Sequence, residues 1–81
     1  MIALREAINH FRQYMSNVQL AKVLGVTPDR VYKYSTGATA TCNDKVVDSF
    51  YDNLTIDGEP VLIDYFESVE QYKMLRKARS Q

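Results

Sequence analysis

The sequence predicts an all-α fold: a compact bundle of about five helices with a long C-terminal helix. Apolar residues recur three and four positions apart over most of the 81 residues, which is the spacing of one helix face. Helix-start signals recur along the chain, and each precedes such a stretch. Hydrophobic residues make up 46% of the chain and charged residues 25%, an ordinary globular composition that favours a buried core.

Composition also limits the possible functions. Ten basic residues balance ten acidic ones, so attraction to nucleic acid has to come from how charge is placed. A single cysteine, Cys42, cannot form an internal disulfide, and a single histidine, His10, leaves no ligand set for zinc, so we expect neither metal nor cofactor. No catalytic motif stands out, and we expect no enzyme. Without a membrane span or a signal peptide, a cytoplasmic protein is expected.

Two helices are predicted before residue 26. Helix 1 is expected at about residues 2–14, with an inner face of Leu4, Ala7, Ile8, Phe11 and Met15. Ser16 and Gln19 form a capping box, in which each side chain satisfies the other residue's amide. Helix 2 therefore starts near Asn17, and Gly25 ends it.

Two further helices follow. Thr27 and Pro28 are a strong start signal for helix 3, at about residues 28–35, with Val31 and Tyr34 turned inward. A capping signature at residues 41–44 opens helix 4, at about residues 42–54, with an inner face of Val47, Phe50, Tyr51 and Leu54.

The last part of the chain allows two interpretations. We favour a long helix 5 opened by Pro60, with one apolar stripe of Leu62, Tyr65, Phe66, Val69 and Tyr72. The alternative is a tight hairpin turn at Asp57 and Gly58 between two short strands. Pro60 counts against the hairpin, because proline cannot donate a backbone hydrogen bond to a strand partner.

Residues 17–37 form a short helix, a turn with glycine and a second short helix. Ala21, Gly25, Val31 and Tyr34 give this segment the spacing of a helix-turn-helix, and it resembles that of the Cro and phage-repressor class. The resemblance covers about residues 1–54. It implies a DNA-binding domain at residues 1–56, and it leaves residues 57–81 as a C-terminal element for dimerisation or core packing.

The resemblance also implies that helix 3 enters the major groove of operator DNA. The residues expected to read bases are Pro28, Asp29, Arg30, Tyr32 and Lys33. Arginine and lysine suit guanine, and aspartate suits the cytosine amine. The same residues would also suit the solvated face of an amphipathic helix, but the surrounding motif favours DNA.

Residues expected to contact phosphates are Ser16, Asn17, Lys22, Thr27, Thr36, Thr39 and Lys45. The chain departs from the family here, since it has no basic residue between Lys33 and Lys45.

The C-terminal stripe is expected either to pack on helices 1 and 4 or to pair with a second copy, which would give a homodimer able to read two half-sites. The predicted function is therefore a transcriptional regulator of the phage or prophage type. Two alternatives remain open at this point: a protein-binding module, as in an antirepressor or antitoxin-like partner, and a recombination directionality factor that bends DNA.

Overall fold

A computed structural model describes residues 1–66 and 68–80, and more than half of them lie in five helices. The helices are α1 (Leu4–Phe11), α2 (Asn17–Leu24), α3 (Pro28–Thr36), α4 (Asp44–Asn53) and α5 (Val69–Arg79). Two short strands, β1 (Thr55–Ile56) and β2 (Glu59–Pro60), lie between α4 and α5. The predicted all-α class is confirmed, and α5 is the longest of the five helices.

One hydrophobic core joins these elements. The predicted inner faces of the first four helices supply most of it, because three- and four-residue spacing puts their apolar side chains on one side of each helix. The C-terminal part of the chain adds Val61, Leu62, Ile63 and Tyr72 to the same cluster. Residues from both predicted segments, 1–56 and 57–81, are therefore buried together.

The ends of α2 and α3 follow the local signals. The Ser16 hydroxyl accepts a bond from the Gln19 amide at 3.1 Å, and the Gln19 side chain accepts one from the Ser16 amide at 2.9 Å. Thr27 caps α3 by accepting a bond from the Arg30 amide at 3.1 Å. Gly25 ends α2 with a φ of 72°, a left-handed conformation that favours glycine. The predicted caps are confirmed.

The other two predicted helices start later than expected. Ile2 does not join α1, because its amide donates to the Leu62 carbonyl at 3.0 Å and its carbonyl accepts from the Asp64 amide at 2.7 Å. This parallel bridge ties the start of the chain to residues 62–64. In α4 the cap is Asn43, whose side chain accepts a bond from the Val46 amide at 3.0 Å, so the helix begins at Asp44 and not at residue 42.

The predicted long helix starting at Pro60 is wrong, and the hairpin forms instead. Asp57 and Gly58 both have positive φ, 53° and 80°, as a two-residue hairpin turn requires. Pro60 faces Thr55 in the antiparallel pair, and the next ladder bond runs from the Val61 amide to the Leu54 carbonyl. Proline therefore occupies a position between ladder bonds, where no amide hydrogen is needed.

The three residues after β2 also lie outside any helix. Val61, Leu62 and Ile63 are all buried, whereas a helix with one apolar face would bury only some of three consecutive residues. Helix α5 begins only after Ser68, whose hydroxyl accepts a bond from the Gln71 amide at 3.1 Å. The predicted stripe is therefore split: Leu62, Tyr65 and Phe66 precede α5, and Val69 and Tyr72 lie within it.

Candidate nucleic-acid interface

Helix α3 is held from one side by the core. Val31 is fully buried and Tyr34 is 2% exposed, as predicted. Near its C-terminal end the Ser35 carbonyl accepts a bond from the Asn9 side chain of α1 at 3.1 Å. Packing and this bond fix the orientation of α3, so its opposite face is presented to solvent.

All five residues predicted to read bases are exposed to solvent: Pro28, Asp29, Arg30, Tyr32 and Lys33. The Tyr32 ring is the most notable of them, because a large aromatic side chain remains 54% exposed. An exposed ring beside charged groups can stack on a base or contact a thymine methyl.

Two of these charges interact with each other. The Lys33 ammonium lies 3.1 Å from the Asp29 carboxylate, one helical turn away, and both side chains are more than half exposed. An exposed pair of this kind contributes only about 0.3–0.5 kcal/mol, so DNA could displace it at small cost. While it is formed, Arg30 supplies the main positive charge of the α3 face.

Arg30 lines a shallow depression of about 220 Å³ together with Val26, Thr27, Tyr34 and Asn43. Burial raises the pKa of the Tyr34 phenol, with a smaller contribution from Cys42, and the Arg30 guanidinium opposes this rise by its charge and a hydrogen bond. The capped starts of α3 and α4 meet at this depression, where the helix dipoles and Arg30 favour an anion and Asp29 and Asp44, in the first turns, oppose one. Asn43 and Tyr34 were not predicted as site residues.

A second depression lies where α1 ends and α2 begins. It contains Ser16 and Asn17, both predicted phosphate contacts, together with Asn9 and Arg12. The Arg12 Nε donates to the Asn17 side chain at 2.9 Å, and an Arg12 Nη lies 3.4 Å from the Asn9 oxygen. Arg12 was not predicted as a site residue from the sequence. It precedes Asn17 by five residues and lies at the start of α2 in the structure.

The other residues predicted to contact phosphates differ in whether their side chains still have a hydrogen-bond donor available. Lys22 and Lys45 are exposed, and Thr27 uses its hydroxyl oxygen only as an acceptor, which leaves its proton available. Thr36 instead donates its hydroxyl to the Lys33 carbonyl at 3.2 Å, and Thr39 is partly buried. Thr36, at the end of α3, and Thr39, after it, are thus less available to a phosphate than Thr27.

The residues predicted to pair two copies do not form a single surface. Leu62 is 5% exposed and Tyr72 is fully buried, so both belong to the core of their own chain. Tyr65 and Val69 remain exposed, and Phe66 is partly buried with its ring 5.2 Å from that of Tyr72. The expectation of one continuous helical stripe is therefore wrong.

Cys42 is partly buried, and burial raises the pKa of its thiol to about 11, with Asp44 adding to the rise. A thiol with so high a pKa is protonated at neutral pH and is a poor nucleophile. Residues 1–66 and 68–80 contain no cluster of three or more His, Cys, Asp and Glu side chains placed to hold a metal ion. Within the same residues, no helix has the length and apolar character needed to span a membrane.

Comparisons of this chain with protein-family models, with curated proteins and with solved structures find no match. The function proposed below therefore depends on the residues of α2 and α3 and on their surroundings.

Proposed function

We propose that this protein is a cytoplasmic, sequence-specific transcriptional regulator of the phage or prophage type, which inserts α3 into the major groove of operator DNA. The observation that carries the proposal is that α3 has one side buried in the core and carries exposed charged residues and an exposed aromatic ring. Its apolar side is fixed to the core, and Asp29, Arg30, Tyr32 and Lys33 are all exposed to solvent. The capped start of α2 lies beside Arg12, where a phosphate could accept bonds from both.

Arg30 has two possible roles within this proposal. Its guanidinium can bond two acceptors of a guanine, or it can hold a phosphate in the depression next to Tyr34 and Asn43. The two roles differ in their effect on specificity. Loss of a base contact relaxes the preference at one position of the site, whereas loss of a phosphate contact weakens binding to all sequences about equally.

Binding as a dimer is part of the proposal, because a two-fold dimer reads two half-sites about one DNA turn apart. Of the residues predicted for pairing, Tyr65 and Val69 are the exposed ones and would carry the contact. Molar mass measured by light scattering, for the wild type and for a Tyr65→Ser, Val69→Ser variant, tests this part separately from DNA binding.

A protein-binding module is the second candidate, and one observation favours it. The formal net charge is zero, and the Asp29–Lys33 pair removes a further positive charge from the face that would meet DNA. A protein partner does not require an excess of positive charge, whereas non-specific DNA affinity depends on it.

Selection of bound duplexes from a random DNA pool, at near-physiological salt, tests the leading proposal. We expect the wild type to enrich one sequence and an Arg30→Ala, Lys33→Ala variant to lose that enrichment. The matched control is Lys73→Ala, Lys77→Ala, which removes the same charge from α5 and should keep the preference. If the wild type enriches nothing, DNA recognition through α3 is refuted and a protein partner becomes the better explanation.

A further inference from the structure

Helix α5 is attached to the rest of the protein differently from the other four helices. Of its eleven residues, all of which the structure describes, Tyr72 is the one that is buried. Helix α1 buries four residues out of eight, and α2 buries three of eight. Tyr72 is therefore the main apolar anchor of α5, and its ring lies 5.0 Å from that of Tyr51 and 5.2 Å from that of Phe66.

Charged side chains supply further contacts of α5. Three aspartates, Asp44, Asp48 and Asp52, recur once per turn along α4 and face Tyr72, Arg76 and Arg79 of α5; we call these six residues the α4–α5 clasp.

The strongest contact in the clasp is a bidentate pair, in which the two Arg76 Nη atoms lie 2.7 and 2.6 Å from the Asp52 oxygens. Arg79 lies 3.3 Å from Asp48 and 3.6 Å from Asp44. The Tyr72 hydroxyl donates to Asp48 at 2.5 Å.

These ion pairs are open to water. The Arg76 and Asp52 side chains are 35% and 45% exposed, and those of Arg79 and Asp44 are 41% and 49% exposed. Exposed pairs weaken as salt rises, because the screening length falls from about 30 Å at 0.01 M to about 3 Å at 1 M. The core of the other helices contains no comparable charge among its buried residues and does not share this sensitivity.

We propose that α5 is a releasable strap, whose docking on α4 is set by ionic strength through the α4–α5 clasp. When salt screens the clasp, α5 separates while α1–α4 stay folded, and the aromatic rings of Tyr51, Phe66 and Tyr72 become accessible. This conformational step does not depend on the function proposed for α3. Release of α5 is a local opening that requires less free energy than unfolding of the whole protein.

Amide hydrogen exchange of the full chain, followed residue by residue by NMR, tests this proposal. Each exposed ion pair favours docking by a factor of roughly two to five. With three such pairs, we expect the protection of amides 73–79, relative to amides 20–24 of α2, to fall by about tenfold between about 0.02 M and 0.5 M NaCl. Equal protection of α5 and α2 at every salt concentration would overturn the proposal.

Two variants separate the clasp from general effects of charge. Asp52→Asn removes the partner of Arg76, and at low salt it should lower the relative protection of α5 by about two- to fivefold. Asp57→Asn is the matched control: it removes one exposed negative charge at the hairpin turn, where asparagine fits the positive φ of 53°. If both variants change α5 equally, the clasp does not control docking and the proposal fails.

Discussion

Removing one oxygen atom from Tyr72 should measurably weaken the fold. The Tyr72 ring is fully buried, and its hydroxyl donates to Asp48 at 2.5 Å and accepts from an Arg76 Nη at 3.1 Å. Tyr72→Phe keeps the ring and its packing, so the change isolates these two bonds. A hydrogen bond to a charged group contributes about 1.5–3 kcal/mol.

The surroundings reduce this value. The Asp48 side chain is 26% exposed and keeps Arg79 at 3.3 Å, while Arg76 keeps both bonds to Asp52. Neither charge is left without a partner, and we therefore expect a loss of about 1–2 kcal/mol in the free energy of unfolding. For a domain of this size, 1 kcal/mol lowers Tm by about 4–8 °C, which gives a fall of roughly 5–15 °C.

Thermal and urea unfolding, followed by circular dichroism, measure the effect. Tyr14→Phe makes the same chemical change at a side chain that is 74% exposed, and it should alter the free energy of unfolding by less than about 0.5 kcal/mol. If Tyr72→Phe destabilises the protein no more than Tyr14→Phe does, the bonds to Asp48 and Arg76 contribute nothing and the reasoning is refuted.

Two more predictions concern pH and the turn before α3. Burial and the hydrogen bond to Asp48 raise the pKa of Tyr72 above its ordinary value of 10.0, so the unfolded chain loses this proton first and stability falls as pH rises above 10. Between pH 9 and 11, Tyr72 should make the free energy of unfolding of the wild type fall by at most about 1.4 kcal/mol per pH unit, and Tyr72→Phe should lack this contribution. If the free energy of unfolding depends on pH identically in both proteins, the raised pKa does not belong to Tyr72. Gly25→Ala places a Cβ at a φ of 72° in open space, and urea unfolding should show a loss of about 1 kcal/mol from backbone strain alone, whereas no loss would mean that α2 can end without a left-handed residue.

Local signals were sufficient to predict α2 and α3. The caps at Ser16 and Thr27 and the left-handed Gly25 depend on neighbours within four residues, and the structure confirms them. The outward position of the α3 residues also followed from the inward spacing of Val31 and Tyr34. Helical periodicity fixes both faces of a helix at once, so identifying the buried face predicts the exposed one.

The C-terminal part depended on information that local patterns do not contain. Pro60 excludes a hairpin only if its amide would have to donate a hydrogen bond to the partner strand. Whether it would depends on the register of the two strands, which the sequence does not show. The sequence left open whether Tyr72 packs on its own chain or pairs with a second copy, because its partners, Asp48 and Tyr51, lie on another helix more than twenty residues away. Arg12 was missed for a similar reason, since its role depends on the angle at which α2 leaves α1.

The bridge between Ile2 and Ile63 also bears on the order of folding. Its backbone bonds join residues about sixty positions apart, so forming it closes about three quarters of the chain into one loop. Closing so long a loop costs more entropy than forming a helical turn, and it is favourable only once other contacts have shortened the distance. During synthesis, α1–α4 can pack before residues 62–64, the partners of Ile2, have been added to the chain. We therefore expect the N-terminal bridge to form late, after the helices that carry the α3 face are already in place.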